Sequence, residues 1–121
     1  MSPPLASAYL RLIQVVHRLE SHGPFQRLDA ETVRLLEMIT VAHVEGHSMT
    51  VSGAMQLSQI ASPASIHRKL DHLRIANLIS HEFNEGNRRT KYLAPTVLTL
   101  KHFDALSQEM LKIKSSADAD I

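Results

Sequence analysis

The apolar period of this chain changes at Asn77 and changes back at Pro95. Before Asn77, Ile66, Leu70 and Leu73 recur at i, i+4 and i+7, which is one buried stripe of a helix. After it, Ile79, His81 and Phe83 alternate with polar residues, and Thr90, Tyr92 and Ala94 do so on a returning segment. The intervening Asn84–Arg89 holds Gly86 and Asn87, which give a turn its backbone freedom. Each boundary carries its own stop signal. Ser62 is a helix N-cap, and Pro63 falls at the first helical position, where a missing N–H does no harm. Asn77 suits the left-handed residue that ends a helix, and Leu78 and Ile79 can close over that end. Pro95 stops the second strand, and Thr96 caps the final helix.

The remaining segments read as helices. Leu5, Tyr9, Leu12, Val16 and Leu19 are spaced 4, 3, 4, 3, and His22-Gly23-Pro24 ends that run. A second helix is predicted from an Asp29 cap through Val33, Leu36, Ile39 and Ala42/Val44 to Gly46. Thr50 caps a short third helix with Ala54, Met55 and Leu57, and Gln59–Ala61 links it to the fourth. The last helix carries Phe103, Leu106, Met110 and Ile113, spaced 3, 4, 3, leaving Ser115–Ile121 as an expected disordered tail. The order is α-α-α-α-β-β-α. A tight helix pair followed by a hairpin predicts a mainly α chain with a small antiparallel β-hairpin, a winged helix-turn-helix. One domain is expected over residues 1–114, with terminal helices 5–21 and 96–114 as a dimerisation region.

Charge is focused where the period changes. Residues 62–91 hold six Lys/Arg (Arg68, Lys69, Arg74, Arg88, Arg89, Lys91) against three acids, whereas the flanking stretches are each at −1. Focused positive charge suits local phosphate contact; a solvated basic face is the alternative. Removing the buried stripe leaves Ser62, Ala64, Ser65, His67 and Arg68 exposed on the first turns of the fourth helix. Small residues there permit close approach in a DNA major groove about 12 Å wide. Arg68 can donate to guanine O6 and N7, Ser65 and His67 can read bases or phosphates, and Lys69 is expected to meet the backbone. Arg88 and Arg89, beside the hairpin tip, suit a minor groove or phosphates, and Lys91 extends the same edge. Edge charges that merely prevent aggregation are the alternative there.

Several short motifs also resemble one family. Thr50-Val51-Ser52, Ser62 through Leu70, Leu73-Arg74, Asn77-Leu78-Ile79, and Asn87-Arg88-Arg89 before Tyr92-Leu93-Ala94-Pro95-Thr96 are similar to a MarR-type winged-helix transcription regulator. The resemblance covers most of residues 5–114. It implies that Ser62, Ser65, His67 and Arg68 enter the major groove, that Arg88 or Arg89 enters the minor groove, and that the terminal helices pair two subunits. The chain departs from the pattern at Asn87, where an acid is usual, at Ala61, where glycine is frequent, and in its Leu-Ala-Pro-Thr junction.

For the dimer seam the candidates are Leu5, Tyr9, Leu12, Val16, Leu19, Phe103, Leu106, Met110 and Ile113; packing of these helices within one subunit is the alternative. The absence of cysteine excludes disulfides and thiolate zinc sites and fits a cytoplasmic, nucleoid-associated protein. No signal peptide is expected, and no stretch approaches the ~20 apolar residues of a membrane span. Of eight histidines, His43 and His47 are the best-spaced pair, but ordinary surface or capping roles are expected, with no metal and no cofactor. No phosphate loop, nucleophile elbow or metalloprotease helix is present, so no enzyme is expected. The expected function is sequence-specific binding of double-stranded DNA by a dimeric regulator, most simply a repressor, with any effector unidentified. The alternative is a winged-helix protein–protein or nucleoid-architectural module.

Overall fold

A computed structural model describes residues 4–84 and 87–119, and the side chains of all of these except 4–6, 84, 87, 88 and 117–119. Where one domain is expected over residues 1–114, the chain divides into two compact units. One joins the residues up to Gln26 to those from Leu100 onward, and the other is Arg27–Thr99.

In the Arg27–Thr99 unit, α2 (Ala30–Val44) starts where Asp29 accepts a hydrogen bond from the Thr32 N–H at 2.8 Å. Its buried face is Thr32, Leu35, Leu36, Ile39 and Thr40, while Val44 is exposed. The stripe is therefore rotated from the predicted Val33–Leu36–Ile39–Val44 line. Threonine can turn inward because the Thr40 hydroxyl donates to the Leu36 carbonyl at 2.8 Å, leaving no unsatisfied group. The short α3 (Val51–Met55) is capped by Thr50, whose Oγ1 accepts from the Gly53 N–H at 3.0 Å. Then α4 (Pro63–Ile75) begins with Ser62 accepting from the Ser65 N–H at 3.3 Å, and it buries Ile66, Leu70 and Leu73.

Asn77 ends α4 as the sequence predicts, with φ +62°. The Leu78 N–H donates to the Leu73 carbonyl and the Asn77 N–H to that of Arg74, the paired bonds of a Schellman stop. The hairpin comes next: β1 (Ile79–Asn84) pairs antiparallel with β2 (Asn87–Pro95), with His81 opposite Leu93 and Asn84 opposite Asn87. Asn87–Arg89, expected in the turn, thus belong to the strand, and the tip residues 85 and 86 lie outside the described residues. The ladder carries an irregularity between Glu82 and Asn84. A register shift of this kind is not encoded by alternation alone. On its other side β2 is anchored before α3, where the Leu93 N–H donates to the Met49 carbonyl at 2.7 Å.

Two threonines tie the start of α5 (Val97–Ala119) to the end of α4. Thr96 Oγ1 donates to the Asn77 carbonyl at 2.8 Å and accepts from the Thr99 N–H, and the buried Thr99 hydroxyl donates to the Leu78 carbonyl at 2.6 Å. The far end of α5 corrects the expected tail: residues 115–119 are helical. No glycine or proline interrupts them, and Arg11 Nη1 donates to Ser116 Oγ at 3.3 Å. Residues 120 and 121 lie outside the described residues.

The other unit contains α1 (Pro4–Glu20), the 3₁₀ turn Gly23–Phe25 and α5 from Leu100. Gly23, at φ +75°, lets the chain reverse so that Phe25 is buried. Phe25 stacks on His102 at 3.8 Å between ring centroids and meets Phe103 edge-on at 5.7 Å. Glu20 Oε2 lies 3.5 Å from His102 Nε2, close enough for an ion pair but not aligned as a hydrogen bond. No helix among the described residues is long and apolar enough to cross a membrane.

Candidate nucleic-acid interface

The exposed face of α4 begins with Ser62 and Ala64, both open to solvent, and with half-buried Ser65. Ser62 Oγ already serves as the cap, so its remaining hydrogen-bonding capacity is what a ligand can use. His67 and Arg68 are exposed one turn further on. Arg68 forms no hydrogen bond or ion pair among the described residues, leaving its five donors to the surface.

Lys69 departs from the expectation. Its side chain is only 12% exposed, and its ammonium lies 3.5 Å from Asp29 and 3.7 Å from Glu31 at the start of α2. The residue adjoins the buried Leu70 on the flank of the apolar stripe, so its stem packs inward and its charge meets the acidic first turn of α2. Lys69 thus ties α4 to the start of α2. The pairing and the Thr32 hydrogen bonds are visible at Asp29. There the Thr32 N–H and hydroxyl chiefly, then Lys69, hold the carboxyl below its usual range against the opposing effect of burial.

A second face of α4 was missed in the sequence. His67, Asp71 and Arg74 recur at i, i+4 and i+7, one residue on from Ile66, Leu70 and Leu73. The Asp71 carboxylate lies 3.6 Å from both His67 Nδ1 and Arg74 Nη2, so the three polar side chains line up along the helix. This face forms one wall of a groove of about 580 Å³. The start of α3, from Thr50 to Ser52, closes one side, and the hairpin supplies His81, Arg89, Thr90 and Lys91. Arg89 and Lys91 line it together, as same-side strand residues do. Arg88 lies on β2 next to Arg89, but its side chain falls outside the described residues. Helical spacing was the available signal for Arg74. His81 had only a weaker one, because its partner across the hairpin depends on the turn.

Of the seam residues, Leu12, Val16, Leu19, Phe103, Leu106 and Ile113 are half-buried. Tyr9 is 63% exposed and Met110 48%, with Leu10 and Leu111 likewise exposed on the same two helices. The Leu5 side chain lies outside the described residues. Among the described residues no three histidine or carboxylate side chains are grouped to hold a metal; His43 instead pairs through Nδ1 with Ser48 Oγ at 3.0 Å.

No family model matches the chain, and no curated protein matches it in sequence. Solved structures share its fold. The Staphylococcus aureus MepR–DNA complex is 12% identical with a TM-score of 0.59, over 95% of this chain and 85% of that one. Streptococcus pneumoniae FabT in complex with DNA is 16% identical at 0.58, over 94% and 77%. MarR is 15% identical at 0.54, over 98% and 84%. The chain therefore has the winged-helix fold of MarR-type transcription regulators.

Proposed function

We propose that the protein is a sequence-specific, double-stranded DNA-binding transcriptional regulator, acting as a dimeric repressor without catalytic activity. The observation that carries this reading is the groove in which the His67–Asp71–Arg74 face of α4 and the Arg89–Lys91 edge of the hairpin converge, with Ser62, Ala64 and Arg68 exposed on the same helix. Two structures of the same fold were solved with DNA, which supports a DNA-binding role.

The mechanism rests on the two faces. Ser62, Ala64, Ser65, His67 and Arg68 enter the major groove, with Arg68 donating to a guanine edge and the small residues allowing close approach. Arg88, Arg89 and Lys91 straddle phosphates or enter the adjacent minor groove, which sets register without specifying sequence. Arg74 joins them from α4, and Asp71 orients it. Two copies, joined through the terminal helices, set their recognition helices about 34 Å apart on a near-palindrome and occlude a promoter. The setting is the cytoplasm, at the nucleoid.

Selection from random duplexes tests this directly. A palindromic consensus is the expected result, and Arg68→Ala should then cost about 1–3 kcal/mol and relax one position of it. Equal affinity for selected and random duplex would replace the regulator with an architectural protein. No duplex binding at low salt, with stable capture of one acidic protein, would make the wing a protein-docking edge.

A further inference from the structure

His81 is half-buried on β1 and faces the groove between α4 and the hairpin. The ionisable groups that share this groove are His67, Asp71 and Arg74 from α4, and Arg89 and Lys91 from β2. The start of α3 contributes only Thr50, Val51 and Ser52. Asp71 is the single acid among them, and its carboxylate is already shared between His67 and Arg74 at 3.6 Å. The groove is thus a pocket of net positive charge lined by two imidazoles, His67 from α4 and His81 from the hairpin wall.

We propose that His81 is a further DNA-phosphate ligand that takes up a proton as the backbone enters this groove. The assignment rests on the DNA-binding reading above. In the protein alone, burial first, then Lys91, then Arg74 push the imidazole below its usual range, and Asp71 only partly opposes them. A phosphate placed among Arg74, Lys91 and His81 reverses the balance. Its charge offsets the two cations that repel a proton, and its oxygens accept the N–H that protonation creates. The sequence-independent backbone of DNA is the fitting anion, because the hairpin edge of Arg89 and Lys91 continues from the same groove.

The proton comes from solvent and is released when the phosphate leaves, so affinity must fall as pH rises. The fall should reach about tenfold for each unit by which DNA raises the imidazole pKa, between about pH 5 and 8. Calorimetry with a short random-sequence duplex at low salt, in two buffers of different ionisation enthalpy, measures the uptake. Wild-type protein should take up a proton on binding. His81→Asn should lose most of that uptake, along with the matching part of the pH dependence, and His22→Asn, which lies outside the groove, should retain it. Proton NMR of the wild-type His81 ring, titrated with and without duplex, should show its pKa rising in the complex. This readout does not depend on any variant folding. Binding without proton uptake, uptake that disappears with His67→Asn and not His81→Asn, or an unmoved His81 titration would each overturn the assignment while leaving the DNA reading intact. Failure of wild-type protein to bind duplex at low salt overturns both.

Discussion

Asn77 and Asp29 show how single side chains fix the ends of the helices that present the interface. Asn77 stands at φ +62°, a region that costs an ordinary L-residue about 1–2 kcal/mol. Asn77→Ala should therefore destabilise by about 1 kcal/mol in urea unfolding, whereas Asn77→Gly should be neutral or slightly stabilising. The Thr96 bond to the residue 77 carbonyl survives both changes, so the difference isolates backbone preference. Asp29 caps α2 and also meets Lys69. Asp29→Ala should cost about 1 kcal/mol, while Asp29→Asn, which keeps an N-cap oxygen, should cost much less. Because the folded carboxyl titrates below its usual 3.8, its contribution is complete above that pH and is lost as pH falls through the folded value. His81 works in the same pH direction over a different window. Its folded pKa lies below 6.5, so the unfolded chain binds more protons there and stability declines as pH drops beneath that value. Thermal melts of wild type and His81→Asn across mild acid should show the variant losing less stability.

On α4, burial and the proposed function are separated by one residue of register. Ile66, Leu70 and Leu73 face inward, and His67, Asp71 and Arg74 repeat the same spacing one step round the helix. The inward stripe, its Ser62–Pro63 start and its Asn77 stop were legible because each is a local rule that tertiary packing has no reason to override. The lysine on the opposite flank of the inward stripe was not. Lys69 looks like a solvent-facing cation in the sequence, and only the arrival of Asp29 and Glu31 from α2 turns it inward. The same limit hid His81, whose place opposite Leu93 depends on how the hairpin turns, and the rotated face of α2, where threonines replace the predicted valines. Lys69→Ala and Arg74→Ala should accordingly behave as opposites. The first should lower thermal stability with little change in the salt dependence of DNA binding. The second should leave stability nearly intact, since Arg74 and Asp71 are both about half-exposed, yet weaken binding and reduce the salt slope by about 1. A salt slope that falls for Lys69→Ala instead would return that residue to the interface.

Across the whole molecule, the proposed function requires two copies to make one reader. Phe25, buried against His102 and Phe103, shows that the unit formed by α1, the 3₁₀ turn and α5 has its own core. Most of the predicted seam is half-buried, which is why spacing alone could not separate packing within a subunit from packing between subunits. Exposure nominates the side chains for a test. Tyr9, Leu10, Met110 and Leu111 are large apolar residues turned to solvent, and such side chains gain most from a second subunit. Tyr9→Glu and Met110→Glu should leave the fold intact, because neither side chain fills the core, but should shift sedimentation at micromolar concentration from dimer to monomer. Phe25→Ala, by contrast, should destabilise the unit by about 3–5 kcal/mol. On a palindromic site the monomeric variants should lose roughly 10²- to 10⁴-fold in affinity, because the second recognition helix no longer binds as part of the same body. On an isolated half-site they should match the wild type. If both variants stay dimeric and keep full affinity for the palindrome, the exposed side chains of α1 and α5 do not form the dimer interface.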